Sequence, residues 1–155
     1  MDRLVYERMS EQESAHWWFA GRREMIRTTI ERLIPLPRKA RILEAGCGTG
    51  GNLEMLKGLG DLDAFEFDSD AREIAAAKSS LEIPFGALPH DIPHPEKRYN
   101  MIALFDVLEH IEDDEATLQG LSERLEDDGR IVVTVPALPW LWSSHDERHH
   151  HFRRY

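Results

Sequence analysis

Glu44-Ala45-Gly46-Cys47-Gly48-Thr49-Gly50-Gly51 follows directly on the apolar pair Ile42-Leu43, and no other stretch limits the fold of this chain so tightly. Glycine at four of the eight positions keeps side chains off the backbone. The segment can therefore turn through φ > 0 and let a ligand lie against its peptide groups. An apolar strand entering such a turn and leaving it into Asn52-Leu53-Glu54-Met55-Leu56 reads as strand, loop and helix N-terminus. Open α/β sheets bind nucleotides with that arrangement. Gly46, Gly48 and Gly51 also satisfy the G-x-G-x-x-G spacing of dinucleotide-binding folds, and spacing alone does not separate these ligand classes.

The remaining sequence alternates helices and strands. Ser10-Glu11-Gln12-Glu13 has the capping-box pattern ahead of the aromatic run His16-Trp17-Trp18-Phe19. Gly21 separates that run from a second helix with Ile26, Ile30 and Leu33 on one face, which Pro35 and Pro37 end. Strands are expected at Arg41 to Ala45, Leu62 to Phe67, Ile83 to Phe85, Met101 to Phe105 and Ile131 to Val135. Between them come a short helix to about Gly58, a helix capped by Asp70 with Glu73, and a stripe of Leu118, Leu121 and Leu125. Leu88 to Arg98 holds three prolines and is loop, and Asp128-Gly129 is a turn. The pattern predicts an α/β protein, a doubly wound, mostly parallel Rossmann-like sheet of about five strands with ligands bound at the strands' carboxyl ends.

Composition removes several functions. A length of 155 residues with 41% hydrophobic content suits one domain with one core. A net charge of -10 argues against a protein that grips nucleic acid or an anionic membrane, since both are held by Lys and Arg. A single Cys excludes an internal disulfide framework and fits a reducing compartment. No apolar run approaches the roughly 20 residues needed to span a bilayer, and Met1-Asp2-Arg3-Leu4 does not start a signal peptide. The expectation is a cytoplasmic protein with no membrane and no nucleic-acid partner.

Glu44 through Gly50, with the carboxylate at the strand end, resembles the first motif of class I S-adenosylmethionine-dependent methyltransferases. Phe105-Asp106-Val107-Leu108-Glu109-His110 resembles the family segment after the fourth strand, and His16 to Arg23 resembles the lid region ahead of the first strand in small-molecule members. The resemblance implies S-adenosyl-L-methionine as cofactor, with Glu44, Gly46, Cys47, Gly48, Gly50 and Asn52 around it. Glu66 would hold both ribose hydroxyls, with Asp68 the competing acid because strand ends are uncertain by a residue or two. Phe67 would lie against the adenine. Ala87 stands where the family often has an Asp for the adenine amino group, so the backbone at Leu88 has to do that work. Phe105 borders the site, and Asp106 with Glu44 would place negative charge near the ammonium and sulfonium. Arg22 or Arg23 would meet the methionine carboxylate, because guanidinium binds carboxylate bidentately. Of the adjacent Trp17 and Trp18, one would cover the ligand.

The acceptor side is less defined. His110 is a candidate general base for a hydroxyl nucleophile, or equally a hydrogen-bond partner of the site's backbone. His145 is the second candidate catalytic residue, on a segment where Trp140 and Trp142 would wall the acceptor pocket with Asp146 and the terminal arginines as polar contacts. The histidines of this segment are not assigned a metal, since zinc needs three or four placed N or S donors and no second Cys exists.

The domain reading is one unit over 1-155: an N-terminal helical lid over 1-38, a cofactor-binding core over 39-136 and an acceptor-side loop over 137-155. The family usually continues into a further helix and an antiparallel strand pair. The expectation is therefore a C-terminally truncated member whose last strand is an exposed edge that favours a homodimer. Implied function is methyl transfer to a small-molecule or sugar-like acceptor. A nucleotide-dependent oxidoreductase using Gly46, Gly48, Gly51 and Glu66, and an inactive cofactor-binding or interaction module, are the alternatives.

Overall fold

The computed structural model describes residues 3–155. Two helices, α1 (Arg3–Ala15) and α2 (Trp17–Leu33), precede β1 (Arg41–Ala45), α3 (Leu53–Lys57), β2 (Asp61–Phe65), α4 (Ser69–Ser79) and β3 (Tyr99–Phe105). A single 3₁₀ turn (Leu108–His110), α5 (Asp114–Ser122), β4 (Leu125–Thr134), a second 3₁₀ turn (Pro139–Leu141) and α6 (Ser144–Arg148) complete the order. The strands pair in parallel in the order β2-β1-β3-β4. The chain moves outward one way from β1 to β2 and the other way from β3 to β4. β1 and β3 therefore flank the point where the winding reverses, the place where open α/β sheets leave a crevice.

The two central strands carry apolar residues on both faces because both faces are covered. With a side-chain period of two, Ile42, Met101, Ala103 and Phe105 point to one side, where Ile26 and Ile30 of α2 and Leu56 of α3 pack on them. Leu43, Ala45, Ile102 and Leu104 point to the other, against Leu108 and Leu121. Leu53, Ala64, Ala75 and Ile83 form a smaller cluster that fixes α3 and α4 to β2.

Several sequence expectations need correction. Four strands form among the described residues where about five were expected, because Ile83 to Phe85 contributes one isolated bridge, Glu66 to Phe85. Pro84 in its centre has no N–H to extend a ladder. The last expected strand exists as β4, yet it starts at Leu125, and Asp128-Gly129 is absorbed into the strand. The register passes from Tyr99↔Leu125 to Met101↔Arg130, so the extra residues bulge rather than turn the chain back.

The N-terminal pattern also resolves differently. Ser10 to Glu13 lies inside α1, and Gly21 lies inside α2, where it costs about 1 kcal/mol of helix propensity without ending the helix. His16 makes the break instead: it is extended, and its ring accepts from Trp18 N at 3.2 Å as an N-cap. The cap of α4 is Asp68, accepting from Asp70 N and Ala71 N, rather than Asp70. Leu125 leaves the helical stripe for β4. No helix among the described residues is long and apolar enough to cross a membrane.

Candidate functional site

A cavity of about 740 Å³ opens at the carboxyl ends of β1, β2 and β3, within the size range of small-molecule sites. Its floor is the loop after β1. Gly46, Gly48 and Gly50 have φ of +77°, +53° and +80°, a region L side chains rarely adopt. Gly46 N and Cys47 N both donate to Phe65 O, at 3.0 and 3.1 Å, which ties the loop to the tip of β2. A Cβ on Gly48 would project into open space, so this glycine is the bare surface of the cradle. Gly50 does a different job: its Cβ would lie 3.1 Å from Ala75 Cα, and it sits off the cavity wall. It lets the loop approach α4 and does not form the binding surface expected of it.

Glu44 is 1% exposed, one residue from the end of β1. Its Oε1 accepts from Asn52 Nδ2 at 3.2 Å, and its Oε2 is buried with no partner. Burial, reinforced by the charges of Glu13 and Glu66, pushes its pKa up to about 8. A buried carboxylate oxygen on a cavity wall with no donor is an open demand for a cation or donor from a ligand. Burial and the same acidic surroundings raise the Cys47 thiol, so it lines the cavity as a thiol and not as a nucleophile.

Glu66, just past β2, accepts from Gly48 N with Oε2 at 2.8 Å and from Phe67 N and Asp68 N with Oε1 at 2.8 and 3.0 Å. Backbone donors thus lock its carboxylate on the cavity wall. Asp68 also borders the cavity, but its carboxylate is occupied in capping α4. Phe67 lines the cavity and is 67% exposed, its ring tilted against that of Phe85 with centroids 5.7 Å apart. Leu88 reaches the wall. Ala87 does not: its N–H and C=O are both spent on Asp91, at 2.8 and 2.7 Å.

The opposite wall comes from α2 and the end of β3. Arg22 Nη2 lies 2.5 Å from Asp106 Oδ2 and 2.8 Å from Thr134 Oγ1. Asp106 has φ of +56°, a conformation Asp tolerates better than most residues. Phe19, Arg22 and Arg23 line the cavity, as the i, i+3, i+4 spacing of one helix face requires. Trp17 and Trp18 therefore turn away and are exposed, with Arg22 stacked on the Trp18 ring at 5.5 Å. Of the aromatic residues at the start of α2, Phe19 and neither tryptophan is on the cavity wall.

At the far end, His110 lines the cavity with His149, His150 and Phe152 of the C-terminal segment, while Glu109 lies buried beside it. Partial desolvation of its ring and the neighbouring His151 and His149 lower the His110 pKa, and burial raises that of Glu109 to about 7. Asp146 is fully buried and accepts from Arg154 Nε at 2.7 Å; its Oδ1 lies 3.0 Å from His151 Nδ1. His145 does not reach the cavity; its ring packs on His149, with centroids 4.2 Å apart. Trp140 and Trp142 also stay off the wall, and Arg153 and Arg154 are engaged by Asp114 and Asp146.

The structure adds wall residues that the sequence did not single out, chiefly Tyr6 and Glu13 from α1. Glu13 accepts from Thr49 Oγ1 at 2.6 Å, so α1 closes over the glycine loop. Only Glu13 carried any signal, and as part of an apparent helix cap it pointed elsewhere.

Residues 18–155 match the model of a methyltransferase-domain family. The chain is 28% identical over 104 residues to a ubiquinone biosynthesis O-methyltransferase of Bradyrhizobium diazoefficiens, covering 64% of this chain and 41% of that protein. Its fold is similar to DesVI of Streptomyces venezuelae, with a TM-score of 0.72 at 18% identity over 92% of this chain and 61% of that one. It is also similar to CalS10, an amino pentose methyltransferase of Micromonospora echinaspora solved with S-adenosylmethionine bound, with a TM-score of 0.67 at 18% identity over 83% and 55% of the two chains. The chain thus spans less than two thirds of the length of these relatives. With the match covering nearly all of its length, this chain belongs to the methyltransferase-domain family.

Proposed function

We propose that the cavity binds S-adenosyl-L-methionine and that the protein transfers its methyl group to a small-molecule acceptor. The observation that carries the reading is the cavity's acidic lining. Glu44, Glu66, Asp106 and Glu13 surround it, with an unpaired buried oxygen on Glu44, which suits a cationic ligand rich in hydroxyls. The cradle also fits, because the bare face of Gly48 leaves room for a nucleoside against the loop.

When bound, the cofactor supplies an electrophilic methyl group on a sulfonium. The residues present divide the work of holding it. Glu44 and Asp106 would face the positive groups, Arg22 the amino-acid carboxylate, Glu66 the ribose hydroxyls, and Phe67 with Leu88 the adenine. Transfer is an in-line displacement, so what remains is to hold the acceptor atom close and collinear and to keep water out. Phe19 and Phe152 line the cavity as apolar walls for that purpose. A small acceptor is favoured by the name of the Bradyrhizobium relative and by the sugar-modifying neighbour.

The same charges weigh against a dinucleotide oxidoreductase. Gly48 N–H, which a pyrophosphate would need, is already bonded to Glu66, and two further carboxylates face the loop. Calorimetric titration with S-adenosylmethionine, its demethylated product and NAD⁺ tests the choice. Binding of the first two and not the third is expected; the reverse order overturns the proposal.

A further inference from the structure

We infer that Glu109, His110 and His151 form a binding site for a divalent first-row transition-metal ion at the acceptor end of the cavity. One donor atom from each lies within 4.8 Å of the others, close enough to meet on one ion. Two come from the 3₁₀ turn after β3 and the third from the segment after α6, so the fold, and not the histidine run by itself, assembles the set.

Three further observations support it. Glu109 is 1% exposed and its Oε2 has no hydrogen-bond partner, a buried carboxylate oxygen of the kind a cation satisfies. His151 Nδ1 is held by the fully buried Asp146, itself fixed by Arg154 and by Ser143 N at 2.9 Å. That leaves Nε2 to ligate, in the carboxylate–histidine arrangement that orients metal-bound imidazoles. The His110 ring packs edge-on against the His151 ring, with centroids 4.6 Å apart.

Two imidazoles and one carboxylate suit Zn²⁺, Co²⁺, Fe²⁺ or Mn²⁺ better than Mg²⁺ or Ca²⁺, which prefer oxygen ligands. Three protein donors leave coordination positions free, and His110 lines the cavity. A cation here would face an entering hydroxyl and polarise it. The acceptor class is then a small alcohol, phenol or sugar hydroxyl. That last step rests on the proposed methyl transfer; the metal site does not.

The test is visible absorption of the chelator-treated chain titrated with Co²⁺, with S-adenosylmethionine affinity measured separately by calorimetry. One equivalent of Co²⁺ is expected to bind. Glu109→Gln and His151→Ala should weaken it by about a hundredfold or more, at least the loss produced by disturbing an outer-shell partner. The double variant His149→Ala/His150→Ala should keep it. Thermal melts identify any variant that fails to fold, and His110→Ala, at an exposed position, provides an independent ligand deletion. Unchanged Co²⁺ affinity in folded Glu109→Gln or His110→Ala, or loss only in the His149/His150 variant, overturns the site. Intact Co²⁺ binding with no S-adenosylmethionine affinity would instead sink the functional reading and leave the metal site standing.

Discussion

Arg22 of α2 and Asp106 at the end of β3 meet at 2.5 Å on the cavity wall, with Thr134 Oγ1 bonded to both. The sequence assigned the two residues to opposite ends of one ligand group, the carboxylate and the ammonium of an amino acid. Their pairing places a positive and a negative charge side by side, the complement of a zwitterion. Both keep donors or lone pairs free, since Arg has five N–H groups and a carboxylate about four acceptor sites. Asp106→Asn preserves the left-handed backbone and removes the charge. It should weaken S-adenosylmethionine by about 1–3 kcal/mol, as should Arg22→Gln. The double variant should lose less than the sum, because each single change also frees the other partner. Strictly additive losses in calorimetry would show that the pair does not act as one unit.

Two glycines of the same loop should fail in different ways. Gly48→Ala places a methyl group in the open cradle, while Gly50→Ala drives one against the α4 backbone. Each adopts positive φ, at a cost of about 1–2 kcal/mol for an L residue. Gly50→Ala should lose clearly more stability than this, since overpacking adds about 1–3 kcal/mol. Gly48→Ala should lose cofactor affinity beyond its modest fall in denaturation midpoint. Equal stability losses and equal affinities in the two variants would contradict the assigned roles.

This division was only half visible in the sequence. Four glycines after an apolar strand announce a cradle, and β3 is legible because burial on both faces leaves an unbroken apolar run from Met101 to Phe105. Which glycine faces the ligand depends on where Ala75 of α4 packs, a contact between distant segments that carries no local signal. Glu109 is a sharper case. Beside His110 it reads as a polar surface pair, yet the 3₁₀ turn at Leu108–His110 points it inward, and only the return of the chain at Phe152, whose N–H bonds Glu109 O at 2.7 Å, encloses it. His145 shows the converse. Its segment reaches the cavity, but the residues that line it, His149, His150 and Phe152, follow α6, while His145 lies within α6 and stays off the wall.

Glu66 links the cradle to the tip of β2. Glu66→Ala deletes an acceptor for three backbone N–H groups and the proposed partner of the ribose hydroxyls. Affinity for S-adenosylmethionine should fall by about 1–3 kcal/mol, and that for its demethylated product by the same amount, since both carry the ribose. A loss confined to the methylated cofactor would place Glu66 at the sulfonium instead. Asp68→Ala should act mainly on stability, by about 0.5–2 kcal/mol, because its carboxylate caps α4.

Glu44 couples binding to pH. Its carboxyl titrates near 4.5 when unperturbed and is pushed up to about 8 by burial in the fold. Between these values the folded chain holds a proton that the unfolded chain has released, so this group's contribution to stability falls as pH rises from about 4.5 to 8. Glu44→Gln should flatten that slope and gain stability most at the alkaline end. Cofactor binding should run the other way. A cation at the unpaired Oε2 favours the carboxylate, so S-adenosylmethionine should displace the proton and bind more tightly as pH climbs through the window. Calorimetry at pH 7 in two buffers of different ionisation enthalpy should register proton release in the native chain and little in Glu44→Gln. Release that survives the substitution unchanged would assign the proton to another carboxyl and leave Glu44 neutral under the ligand.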